Sequence, residues 1–295
     1  VKVFLIDGTY ELFRQFFGRP SHLTKDLDEV SAVRGVLGST LQLFETGATH
    51  LGVATDHVIE SFRNRLYTGY KTGAGIDPTL FAQFPILEDA LRAMGVAVWA
   101  MVELEADDAL ASAAKLSSQD DRVEQAVILT PDKDLAQCVV RSRVVQVDRR
   151  NNKVFDEAGV LEKFGVLPES IADYLALVGD SADGFPGIQG WGAKSTATVL
   201  RKFVHLEDIP ESPAEWGLNV RSSATLAGAL NDQRDLALLF KDLATLRVDE
   251  PLFDNVDSLR WQGPTDDFAS ICERLEAPGL VGRAQRIAGD IRSNG

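Results

Sequence analysis

The sequence predicts an α/β chain with a parallel-rich central sheet, helices on both faces, and a smaller helical part after it. Three observations carry this. Short apolar runs of strand length alternate with helix-spaced segments through about residue 165. Several of those runs end in an acidic residue. Beyond about residue 166 the strand signals stop and the spacing is helical.

The elements follow in order. Lys2 to Ile6 is a buried-strand run closed by Asp7-Gly8. Residues 10–17 and 32–46 carry helical spacing, and His50 to Thr55 is a second strand ended by Asp56. Residues 57–79 are polar, basic and glycine-bearing, and read as a loop or loose helices. Residues 80–94 form an amphipathic helix, 96–101 a strand, and Glu105 to Ser117 an alanine-rich helix. Gln125 to Leu129 is a strand ended by Thr130-Pro131-Asp132, and Arg143 to Val147 is another. Residues 168–178 and 193–203 are helices flanking a glycine-rich stretch, Gly187 to Gly192. The expected domains are therefore 1–165, an α/β body, and 166–295, a helical region.

The 295 residues are 45% hydrophobic and 25% charged, an ordinary globular composition able to bury a core without staples. Two cysteines, Cys138 and Cys272, form no ligand cluster or disulfide framework and fit a reducing cytoplasm. No apolar run of membrane-spanning length occurs, and the N-terminus lacks signal-peptide features. The net charge of −14, from 44 acids against 30 bases, runs against simple nonspecific nucleic-acid binding. A carboxylate cluster that holds cations accounts for part of it.

The acids fall in informative places. Asp7, Asp56 and Asp132 each close or follow a strand, and the carboxyl ends of parallel strands face one crevice. Glu105, Asp107 and Asp108 open a helix; Asp132 and Asp134 flank Lys133; Asp180 and Asp183 share Gly-Asp-Ser-Ala-Asp-Gly. Such a set could not stay ionised in one cleft without cations, and all-oxygen donors suit Mg²⁺ or Mn²⁺. Each piece alone has a plainer reading, as a helix-start acid complementing the dipole or a turn residue after a strand. The joint pattern favours metal binding. Two lookalikes fail: Leu5 stands where an aspartyl-phosphate phosphatase has its nucleophile, and Ala193 breaks the phosphate-loop spacing between Gly192 and Lys194.

Taken together the motifs resemble the 5′ nuclease, or flap endonuclease-like, family. That family includes the 5′-exonuclease domain of bacterial DNA polymerase I, phage 5′ exonucleases and eukaryotic flap endonucleases. The matching segments are Leu-Ile-Asp7-Gly8, Ser61-Phe62-Arg63 with Gly69-Tyr70-Lys71, Glu105-Ala106-Asp107-Asp108, Thr130 to Leu135, and Gly179 to Lys194. The resemblance implies one metal group of Asp7, Asp56, Glu105 and Asp107. It implies a second of Asp132, Asp134 and Asp183, with Asp108 and Asp180 as further carboxylates. It also implies a DNA-binding helix–three-turn–helix element at about 168–203, using Gly187, Gly190, Gly192 and Lys194, with K⁺ as a further ion there. Residues 57–79 would be an arch carrying Arg63 and Lys71 as catalytic cations, the plainer reading being solvated loop charges; Tyr70 either stacks on an unpaired base or packs. Arg14, on the first helix, is the third cation, for phosphate or for an ion pair with the carboxylates.

The implied activity is a 5′-3′ exonuclease and flap endonuclease that hydrolyses DNA by a two-metal mechanism, with no histidine base. Its substrates would be DNA with 5′ ends, flaps or nicks, and RNA primers in hybrids; a stand-alone cytoplasmic monomer is expected. Rival readings are a DNA-binding scaffold of the same fold and a toxin-type metal-dependent ribonuclease. Three positions depart from the family pattern: Ala74 where the arch has arginine, Gly184-Phe185 in the Asp-Asn-Ile/Leu-Pro motif, and Trp191 inside the glycine turn.

Overall fold

A computed structural model describes residues 1–26 and 28–294. Leu27 and Gly295, the latter the expected end of the helical region, lie outside the described residues. The chain forms two compact units that interleave along the sequence. Unit one comprises Val1–Ile59, Gly73–Thr130 and the chain from Val248 onward; unit two comprises Glu60–Thr72 and Pro131–Arg247.

Unit one is built on four parallel strands, β1 (Lys2–Asp7), β2 (His50–Asp56), β3 (Ala97–Met101) and β4 (Gln125–Leu129), in the order β3-β2-β1-β4. The central strands are apolar because both faces are covered: Val3, Leu5, Val53 and Ile128 are fully buried. The helix Ala106–Gln119 packs on β1, β2 and β4, and its many alanines let it lie close. The helix Gln83–Ala93 packs on β3, and Ser31–Glu45 packs on Gly8–Gly18 and on Gly279–Asn294. The register sets Asp7 beside Ala54 and Asp56 beside Met101. Parallel pairing therefore delivers the acids that end β1 and β2 to the same edge. Where one helix is expected over 80–94, two occur, Pro78–Phe81 and Gln83–Ala93. Asp77 caps the first through Thr79 N–H at 2.8 Å, with Pro78 at its first position.

Unit two carries an antiparallel hairpin, β5 (Val144–Asp148) with β6 (Lys153–Phe155), and a helical core. β6 and the helix Glu157–Phe164 were not legible in the sequence; only three residues form the strand. The helices Ile171–Val178, Ala193–Phe203, Ser223–Asp232 and Arg234–Ala244 enclose Leu175, Phe185, Val199, Trp216 and Phe240. Phe185 and Phe240 stack with centroids 5.3 Å apart. Asp173, 1% exposed, accepts from Leu206 N–H at 2.8 Å and pairs with Lys241 at 2.8 Å and His205 at 3.1 Å. One buried carboxylate thus ties Ile171–Val178 to Arg234–Ala244.

Candidate metal centre

In unit one the expected acids sit at the carboxyl edge of the sheet, and Asp7, Asp56 and Asp108 are held by local donors. Asp7 caps the first helix: Oδ1 accepts from Tyr10 N–H and Oδ2 from the Thr130 hydroxyl, both at 2.8 Å. Asp56 Oδ1 accepts from Ala106 N–H at 2.8 Å, which fixes the start of the helix that carries Glu105, Asp107 and Asp108 beside β2. Asp108 is fully buried and accepts from Glu105 N–H at 3.0 Å, so one of its oxygens serves as a helix cap. Asp107 is half-buried.

In unit two Asp134, Asp180 and Asp183, all buried, each direct an oxygen to one place, with the three oxygens within 4.8 Å of one another. Asp132 is exposed and accepts from Asp134 N–H at 3.0 Å. The loop 180–185 closes on itself, with Asp180 N–H donating to Phe185 O at 2.8 Å and Phe185 N–H back to Asp180 O at 3.0 Å. Gly184 has φ +88°, and a Cβ there would stand 2.1 Å from the Gly69 carbonyl oxygen. That explains the glycine in place of the family's asparagine: segment 60–72 runs against this loop, and Lys71 N–H donates to Asp183 O at 2.9 Å.

The electrostatics of this group suit a cation. Burial, then the charges of Asp132, Asp183 and Asp180, push the Asp134 carboxyl well above the usual carboxylate range, against the pull of Lys133. Asp134 Oδ1 is buried with no hydrogen-bond partner. Asp134 is 5% exposed, and a buried oxygen in that position is suited to serve as a donor atom to a cation. All three donors are hard oxygens, which fits a divalent hard cation. Lys71 Nζ pairs with Asp183 Oδ1 at 2.9 Å, and the Tyr70 hydroxyl donates to Asp183 Oδ2 at 3.3 Å. Lys133 Nζ pairs with Asp180 Oδ2. Burial lowers the Lys133 pKa, but the Asp180 bond and the surrounding acids outweigh it and leave it raised.

Several expected site residues stand elsewhere than the sequence implied. Arg63 is 1% exposed: Nε donates to Leu243 O at 2.8 Å and Nη2 to Thr245 O at 3.2 Å, with the Phe62 ring 4.6 Å away. A solvated arch cation is thereby corrected to a buried one that satisfies the carbonyl end of the helix Arg234–Ala244. Tyr70, 4% exposed, belongs to the core of unit two and is not presented for base stacking. Arg14 pairs at 2.5 Å with Glu11, one turn back, which is not among the nine acids. Gly187 is buried inside its loop, whereas Gly190, Gly192 and Lys194 are exposed. Gly190 and Lys194 lie by a cavity of 540 Å³ that Ser195, Thr198 and Arg221 also help to line. Trp191 turns inward, its Nε1–H donating to Leu226 O at 3.1 Å, which is why the glycine turn tolerates it. Lys133 and Thr130 are functional residues that motif spacing alone does not single out; the acids flanking Lys133 are the available signal.

Residues 2–165 match the family model described as 5′-3′ exonuclease, N-terminal resolvase-like domain, and residues 166–267 match 5′-3′ exonuclease, C-terminal SAM fold. The chain belongs to the 5′-3′ exonuclease family. It is 34% identical to a 5′-3′ exonuclease of Aquifex aeolicus over 70% of this chain and 71% of that one. It is 33% identical to DNA polymerase I of Pseudomonas aeruginosa over 99% of this chain, and spans 32% of that polymerase. The chain thus covers about a third of the DNA polymerase I relatives it matches. The fold is that of the phage T5 exonuclease proteins. A T5 structure co-crystallised with metal ions has a TM-score of 0.68 at 16% identity, covering 96% of this chain and all of that one. The catalytic core of Rad2 in complex with DNA substrate has 0.65 at 15%, covering 97% of this chain and 92% of that one. No helix among the described residues is long and apolar enough to cross a membrane.

Proposed function

We propose that this member of the 5′-3′ exonuclease family is a divalent-metal-dependent, structure-selective 5′-3′ exonuclease and flap endonuclease acting on DNA with 5′ ends, flaps or nicks. The observation that carries this reading is the convergence of Asp134, Asp180 and Asp183 with a buried, unpartnered oxygen on Asp134. Asp132 completes that group, and Asp7, Asp56, Glu105 and Asp107 form the second, at the carboxyl edge of the unit-one sheet. The proposed ions are Mg²⁺ or Mn²⁺, and when bound they supply the Lewis acidity and water activation that phosphodiester hydrolysis needs.

The chain's own residues do the rest. Thr130 and the Tyr10 N–H hold Asp7 in place, and the Ala106 N–H holds Asp56. Tyr70 orients Asp183 through its hydroxyl. Lys71 reaches the acidic group from the 60–72 segment and is placed to offset phosphate charge there. Exposed Gly190 and Gly192 let a phosphodiester approach the backbone N–H groups of the turn, and Lys194 adds charge, within a helix–three-turn–helix element that also takes K⁺. Functionally, residues 1–165 form the nuclease body with an arch at 57–79, and the helical region 166–295 carries the DNA-binding element at about 168–203. RNA primers in hybrid form are further substrates of the same chemistry. The free cysteines fit a cytoplasmic setting, and we take the protein as a monomer.

The test is cleavage of a 5′-flap DNA and of single-stranded RNA with Mg²⁺ or Mn²⁺. Metal-dependent flap cleavage in preference to RNA is expected. Duplex binding without cleavage would favour a scaffold, and preference for the RNA a ribonuclease.

A further inference from the structure

Both acids of the loop 180–185 are clasped by a lysine: Lys71 on Asp183 and Lys133 on Asp180. The two lysines differ in origin. Lys71 comes from the distant segment 60–72, whereas Lys133 stands between Asp132 and Asp134 at the start of the short helix Asp134–Cys138, so its backbone is fixed next to the acids themselves. Its side chain is 34% exposed while Asp180 is 3% exposed. The ammonium thus comes from the solvent side onto a buried carboxylate. The other Asp180 oxygen is committed, Oδ1 accepting from Ala182 N–H at 3.0 Å. Oδ2, the oxygen under Lys133, is the one left for a cation.

We propose that Lys133 is a built-in counter-ion of the metal centre, and that a divalent ion reaches Asp180 by displacing the Lys133 ammonium. This rests on the reading of Asp134, Asp180 and Asp183 as metal ligands. Physically, a buried carboxylate stripped of its positive partner costs several kcal/mol, so the fold needs a cation at Asp180 whether or not metal is bound. A tethered lysine satisfies that need at low metal concentration, keeps the loop 180–185 closed, and sets a threshold that the incoming ion has to exceed. Because the long lysine stem lies partly in solvent, the ammonium leaves without dragging the backbone.

The experiment compares wild type with Lys133→Met, which keeps the stem and removes the charge, and Lys133→Arg, which keeps the charge. Mn²⁺ binding is measured by calorimetry without DNA, and thermal melting with EDTA and with Mn²⁺. A unit charge a few ångströms from a divalent ion is worth more than enough at protein-like dielectric for Lys133→Met to bind Mn²⁺ about tenfold tighter. That variant should also melt lower in EDTA and recover in Mn²⁺, while Lys133→Arg should stay near wild type in both. Wild-type or weaker Mn²⁺ binding by Lys133→Met overturns the proposal. A Mn²⁺ soak of wild-type crystals is the readout that needs no variant: Lys133 should have withdrawn from Asp180, and an ion on Asp180 with the lysine still in contact overturns it too. Failure of the underlying reading looks different: wild type itself would bind no Mn²⁺ that Asp134→Asn removes.

Discussion

Arg63→Met separates a structural cation from a catalytic one. The guanidinium is 1% exposed and donates to Leu243 O at 2.8 Å and Thr245 O at 3.2 Å. Both carbonyls belong to the end of the helix Arg234–Ala244, where no intrahelical donor remains. Methionine keeps the apolar stem but supplies no donor. Leaving a buried acceptor unsatisfied costs about 1–3 kcal/mol, and loss of the contact with Phe62 adds about 0.5–2 kcal/mol. Thr245 O keeps a second donor in Arg247 Nη1 at 3.4 Å, so the total is roughly 2–5 kcal/mol, a drop in Tm on the order of 10 °C for a chain of this size. The assay pairs thermal melting by circular dichroism with single-turnover flap cleavage well below the melt. A wild-type Tm together with lost cleavage would refute the structural assignment and restore Arg63 as a cation of the reaction.

Four further outcomes are expected. Lys71→Ala should slow single-turnover cleavage at saturating enzyme far more than it weakens flap binding; an unchanged rate would remove the arch from the mechanism. Gly184→Ala places a Cβ 2.1 Å from the Gly69 carbonyl oxygen in a φ +88° backbone, so it should destabilise by more than about 2 kcal/mol in urea. Gly192→Val meets open space at an extended residue, so a stability change of about 1 kcal/mol or less should accompany clearly weaker duplex binding with metal binding intact; metal and duplex binding lost together would make the turn structural. Glu29, 8% exposed, is penalised by burial, yet its bonds from Ser21, Ser31 and His22 win and lower its pKa to about 2 from the ordinary 4.5. Its stabilising contribution is therefore complete above about pH 4.5 and lost as pH falls through 2, so Glu29→Gln should cost about 2 kcal/mol at pH 7 and little at pH 2. A pH-independent difference in melting would contradict that.

Much of this molecule was legible in the sequence, for reasons particular residues make plain. Val3, Leu5, Val53 and Ile128 are buried on both faces of a parallel sheet, so β1, β2 and β4 read as continuous apolar runs. Asp7 and Asp56 end their strands, so parallel pairing alone places them on one edge. What was hidden depends on packing between segments far apart in the chain. Arg63 lies in a basic, polar stretch that reads as solvated, yet its partners are at 243 and 245, some 180 residues on. Tyr70 is in the same stretch and is drawn into a core by Asp183 and its neighbours. Charge patterning reports exposure only when nothing covers the segment. Lys133 was visible as a letter between two acids, but its pairing with Asp180 crosses 47 positions and needs the fold.

The most direct measurement is single-turnover cleavage of a 5′-flap DNA in Mg²⁺ by Asp183→Asn, with folding checked by circular dichroism. Asp183 is the acid on which the loop 180–185, Tyr70 and Lys71 all converge, so the substitution removes a proposed metal ligand without opening a cavity. The account predicts cleavage reduced at least about a thousandfold, on the scale of losing a group that stabilises the transition-state charge, in a protein that melts in EDTA at or above the wild-type temperature because one repulsive charge is gone. Wild-type cleavage by the folded variant would contradict the assignment of this carboxylate cluster as the metal centre.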